Sequence, residues 1–260
     1  MYSLQDVKGA LTDIMRMLLF REIRPDIKRK GPLFLALGLG FAWLAGMGRY
    51  WDNPRATFLQ HLGVGSVLYC FILALLLWLI IWPLRPSNWN YWNVLIFVSL
   101  TSPPALLYAI PVEKFMSIDQ AIQVNILLLA IVAIWRMLLL LVYLQRSGGL
   151  GVVGTLVAAL IPVDLVIVAL TVLNLDHVVF EMMGGIRDAD KSPHDGAYSI
   201  LFLITLLSYF AFPILILTYI GVAIQRYNER KDSLVSQASS DKEPPSEQPP
   251  EIAKPTELER

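Results

Sequence analysis

The chain has 260 residues, of which 56% are apolar and 16% charged, with a mean hydropathy of +0.57. A soluble domain of that size would carry far more apolar surface than one core can hide, so lipid is the expected solvent. The 21 basic residues balance 21 acidic ones, and zero net charge argues against nucleic acid, which needs a basic face. With Cys70 as its single cysteine, the chain can form neither an intramolecular disulfide nor a thiolate metal cluster.

Near the N-terminus, Leu4, Val7, Leu11, Ile14, Met15, Leu18 and Leu19 recur at helical spacing, and Ser3 with Asp6 resembles a capping box. This predicts an amphipathic helix ending near Pro25, within a segment of residues 1–30. Two placements fit: in the cytoplasmic interface against anionic lipid headgroups, or packed on the cytoplasmic ends of the spans. No short apolar region followed by a small-residue cleavage site is evident, so no cleavable signal peptide is expected.

Residues 31–225 read as a transmembrane domain. A bilayer core of roughly 30 Å needs about 20 apolar residues at a rise of ~1.5 Å each. Six stretches have that length: Pro32–Gly48, Val64–Ile81, Tyr91–Ile110, Ala121–Tyr143, Leu150–Leu173 and Tyr198–Ile224. Unbroken apolar runs lack the alternation of barrel strands, so the fold class is all-α, a polytopic bundle of six spans. Lys8, Arg16, Arg21, Arg24, Lys28, Arg29 and Lys30 precede the first span, Arg85 and Arg146 fall in the second and fourth connections, and Arg226, Arg230 and Lys231 follow the last. This bias predicts that both termini are cytoplasmic and that the acidic fifth connection, with Asp176, Glu181, Asp188, Asp190 and Asp195, faces outward. Tyr50, Trp51, Trp78, Trp82, Trp89, Tyr91, Trp92 and Tyr198 mark span ends.

Only Arg136 and Asp164 carry full charges inside the spans. They fall on neighbouring antiparallel spans joined by Ser147-Gly148-Gly149, at depths that differ by roughly 6 Å. An unpaired charge at mid-bilayer costs about 2.5–3.5 kcal/mol on insertion scales. A mutual ion pair is therefore expected, first as a packing device and second as a candidate substrate, proton or ion site. Thr101-Ser102-Pro103-Pro104 falls midway across the third span, where two missing amide donors predict a break or kink. Pro162 and Pro213 lie inside the fifth and sixth spans. Transporters build midplane sites from such interrupted helices.

His61, His177 and His194 show no helical ligand spacing and read as solvated loop residues, so no metal site is assigned. Gly149-x-Gly151-x-x-Gly154 has the letters of a dinucleotide fingerprint but opens a span without a preceding strand; like Gly38, Ala42 and Gly46, these small residues read as helix contacts within the protein or between copies. No nucleophile elbow, phosphate loop or aligned catalytic carboxylates stand out, so no catalytic residue or cofactor is expected. After Lys231 the composition turns to Ser, Glu, Pro, Gln and Lys, and residues 226–260 read as a disordered cytoplasmic tail.

Pro25-Asp26 followed by Gly31-Pro32-Leu33-Phe34 resembles the Asp-Leu-Tyr-Gly-Pro-Phe-Trp segment of the Yip1 family of multi-spanning membrane proteins. Extra residues separate Asp26 from Gly31, the tyrosine is missing, and six spans exceed that family's usual five. The resemblance implies a membrane-organising or protein-interaction role, with a membrane-protein partner or a second copy, in a bacterial cytoplasmic membrane. The alternative is a small-molecule or ion transporter using Arg136, Asp164 and the broken third span.

Overall fold

The computed structural model describes residues 2–21, 27–51, 57–173 and 196–240. Helices α1 (Leu4–Leu18), α2 (Ile27–Tyr50), α3 (Phe58–His61), α4 (Val64–Ile81), α5 (Tyr91–Leu100), α6 (Ile118–Arg146), α7 (Val152–Val172) and α8 (Gly196–Ser240) follow in order, with short 3-10 segments at Trp82–Leu84, Pro103–Ala109 and Val112–Lys114. No strand occurs among the described residues. Five helices are long and apolar enough to cross a bilayer, and α5 with Pro103–Ala109 makes a sixth span if the bent pair counts as one. The chain is a polytopic helical membrane protein.

At α1 the capping box closes as the sequence predicts. The Asp6 amide donates to Ser3 Oγ at 3.2 Å, and the Ser3 amide donates to Asp6 Oδ2 at 3.0 Å. Together with Lys30, whose Nζ lies 3.1 Å from Asp6 Oδ1, the Ser3 bonds hold the Asp6 carboxyl below its ordinary range, at about 2. The helix stops at Leu18, earlier than Pro25. Its last carbonyls would be orphans in an apolar setting; instead Trp135 Nε1 donates to Leu18 O at 2.9 Å and Arg146 Nη1 to Phe20 O at 2.9 Å. One face of α1, with Ala10, Ile14 and Leu18, is buried on the bundle, while Leu4, Met15 and Leu19 stay exposed.

Helix α2 runs against α5, Pro103–Ala109 and α4. Its small residues explain how. A Cβ on Gly38 would lie 2.5 Å from Ser99 Oγ and 2.7 Å from the Ser99 carbonyl carbon, and one on Gly46 would lie 2.5 Å from Ser66 Oγ. The stripe of Gly38, Ala42 and Gly46 is thus used inside the molecule, where absent side chains let backbones approach. Gly63 supplies the one turn there that demands a positive φ, +66°, between α3 and α4, with Trp43 Nε1 donating to Leu62 O beside it.

Between α6 and α7 the tight connection is tied to its neighbours. The Ser87 amide donates to Gly148 O at 2.8 Å, and Arg226 Nη2 donates to Gly149 O at 3.1 Å. A Cβ on Gly154, the last glycine of the false fingerprint, would lie 3.6 Å from Val222 Cγ1 on α8. Helix α8 has 45 residues, about 67 Å at ~1.5 Å per residue, more than twice a bilayer core of ~30 Å. The helix runs on to Ser240, past the composition change after Lys231. Residues 241–260 lie outside the described residues.

Candidate functional site

The third span breaks where its prolines require. Helix α5 ends at Leu100, and the chain turns by 41° into Pro103–Ala109. Pro103 cannot donate to Ser99 O, so the Ser102 amide does so in 3-10 geometry at 3.1 Å. The hydroxyls of Ser99 and Thr101 donate back to Ile96 O and Val98 O at 2.8 and 2.7 Å. Ser99, Thr101, Ser102 and Pro104 are buried, and Ser102 Oγ lies 3.8 Å from Cys70 Sγ on α4. The Ser102 amide thus replaces the donor that Pro103 lacks, and the hydroxyls of Ser99 and Thr101 satisfy themselves on the preceding turn.

Arg136 comes to this break. Its Nε donates to Thr101 Oγ1 at 3.2 Å, and its guanidinium carbon sits 5.7 Å from the centre of the Tyr69 ring on α4. A helix C-terminus carries roughly half a negative elementary charge. The end of α5, created by the prolines at mid-membrane, therefore faces the guanidinium with a partial counter-charge. Beyond it, Tyr108 lies within electrostatic reach of both Arg136 and Arg49, and Arg49 sits 5.9 Å from the Tyr108 ring centre at the far end of α2.

The expected ion pair is not made. No nitrogen of Arg136 comes within 4.0 Å of Asp164, and Asp164, 5% exposed, has an Oδ2 with no hydrogen-bond partner. The two depths were compatible, but helix rotation is set by neighbours that span lengths do not report. Arg136 is turned toward α5 and α4, and the α5 terminus supplies the negative potential that the pairing argument assigned to Asp164. The structure brings Arg136 to Thr101 and leaves Asp164 apart.

Tyr69, Tyr108 and the Cys70 and Ser99 side chains belong to this polar region, a role that the sequence reading did not assign to them. Their signal was weak but present: each interrupts an otherwise aliphatic span. His61 ends α3, whereas His177 and His194 lie outside the described residues. Among the described residues no group of three or more His, Cys, Asp or Glu side chains gathers to hold a metal.

Compared with family models, with curated proteins and with solved structures, the chain has no significant match. Its chemistry is read from its own residues.

Proposed function

We propose that the bundle binds a small anionic solute at Arg136 and works as a small carrier or channel. One observation carries this reading: Arg136 is part-buried in a span, uses Nε on Thr101, and has no protein acceptor for its Nη donors among the described residues. A guanidinium presents a planar fork suited to carboxylate or phosphate oxygens, and an intramembrane charge without an opposite side chain is by default a functional group. The interrupted third span supports the same reading, since broken helices at mid-depth are how transporters form solute sites. Neither catalytic chemistry nor a cofactor enters it.

The test is thermal unfolding of the purified protein against phosphate, sulfate and short carboxylates, followed by flux of any stabilising anion into proteoliposomes. Wild type should be stabilised by at least one anion. Arg136→Gln should fold and lose that response, and Arg136→Lys should keep part of it. Stabilisation by no anion, or an unchanged response in Arg136→Gln, would remove the proposal.

A second reading, a membrane-organising or interaction role of the Yip1 kind, is favoured by α1. With one face already buried, it still exposes Leu4, Met15 and Leu19, an apolar surface for lipid or for a partner. Copurification of a membrane protein at fixed stoichiometry that is lost in Leu4→Ser/Leu19→Ser would favour this reading.

A further inference from the structure

The bend in the third span changes that span's neighbours. Helix α5 packs on α2 and α4, whereas Pro103–Ala109, turned away by 41°, packs on α2 and α6. Past the break the span has left α4. Nothing described fills its place, because α4 packs on α2, α5 and α7, while α6 packs on α7, Pro103–Ala109 and Val112–Lys114, and the two helices are not packed along one another. A groove results, walled by α4 and α6 and floored by Pro103–Ala109. Arg136 lies at its deep end, bonded to Thr101 at the break and 5.7 Å from the centre of the Tyr69 ring on the opposite wall.

The walls are apolar and open sideways. Positions three or four apart share a helix face, and on the Tyr69 face of α4 both Tyr69, 48% exposed, and Ile72, 55% exposed, are uncovered. One turn the other way, a Cβ added at Gly65 would meet nothing within 4 Å. On α6, Ala133 is exposed one turn before Arg136. In a membrane-spanning bundle these positions border hydrocarbon.

We propose that the anion received by Arg136 is the head of an acyl-chain amphiphile, a long-chain carboxylate, which enters from the bilayer between α4 and α6. This rests on the anion reading of Arg136 and names the class and route of the ligand. Charge complementarity selects the head: Arg136 has no carboxylate partner among the described residues, and its guanidinium fork matches carboxylate geometry. The position of the opening selects the chain. A site open sideways at mid-membrane is reached from hydrocarbon, where each methylene of a tethered chain concentrates the ligand and a short water-soluble anion is excluded.

The full chain in phosphatidylcholine nanodiscs, irradiated with a diazirine-bearing palmitate and mapped by mass spectrometry, tests it. Label should gather around Tyr69 and Ile72 on α4 and Ala133 on α6. It should exceed that of the corresponding methyl ester by about tenfold or more, the ratio that one charge-assisted hydrogen bond gives. Arg136→Gln should bring the acid down to the level of the ester, and Ile72→Trp, which narrows the groove and keeps Arg136, should lower labelling by the acid. Equal labelling by acid and ester, unchanged labelling in Arg136→Gln, or two chains per nanodisc with the groove unlabelled would each overturn the proposal. If phosphate, sulfate or a short carboxylate still stabilises wild type through Arg136, only the amphiphile fails; if none does, the anion reading falls with it. Should Arg136→Gln fail to fold, unchanged labelling in Ile72→Trp is the overturning result.

Discussion

Arg136 and Asp164 behave as separate residues, and that separation has a measurable form. Breaking a buried ion pair by removing one partner costs about 3–5 kcal/mol. With no such contact to lose and an unpartnered buried carboxylate oxygen to relieve, Asp164→Asn should leave stability unchanged or raise it by up to about 3 kcal/mol, the cost of an unpaired intramembrane charge. Thermal unfolding in detergent measures it, and a loss in the ion-pair range would restore the pairing. Asp6 gives a pH-dependent counterpart. Its folded-state value, about 2, lies below the ordinary 3.8, so its contribution to capping α1 is complete above pH 3.8 and is lost as pH falls toward 2. Amide exchange at Asp6 and Val7 should rise across that window in wild type and be already high, without the acid step, in Asp6→Asn.

At the scale of elements, α2 and α5 are joined through a contact that has no room for one more carbon. Gly38→Ala places a methyl group 2.5 Å from Ser99 Oγ and 2.7 Å from Ser99 backbone, and overpacking of this kind costs about 1–3 kcal/mol. Gly40, on the same helix, has nothing within 4 Å of an added Cβ, so Gly40→Ala should be neutral or gain up to about 1 kcal/mol from helix propensity. Opposite shifts in unfolding temperature for the two variants are the expected result. The break in the third span makes a different prediction. Because the α5 terminus faces Arg136, Pro103→Ala and Arg136→Gln should be non-additive, with an interaction energy of about 0.5–3 kcal/mol in a double-mutant cycle. The span positions were legible because apolar length is a local property: Val64–Ile81 is helix α4 with the same bounds, and the prolines marked the break directly. The partner of Arg136 was not legible, since rotation about a helix axis depends on which neighbours press on it. Composition changes after Lys231, whereas helix α8 runs on to Ser240.

For the molecule as a whole, the charge bias predicts that Arg85 and the end of α8 share the cytoplasmic side. Reporter fusions at both places should give the same sidedness, and opposite results would remove the six-span topology. The same end gathers Arg85, Arg146 and Arg226, with Arg146 and Arg226 each bonded to backbone carbonyls of another element. Arg146 and Arg226 thus act as ties between elements. The break in the third span has a consequence for genetics. A counter-charge made of backbone carbonyls belongs to no side chain and cannot be deleted by replacing an acid. A search for charge-swap suppressors of a defect at position 136 should therefore return no carboxylate, and compensating changes should arise at Pro103 and Pro104, two residues that a survey of charged positions would pass over.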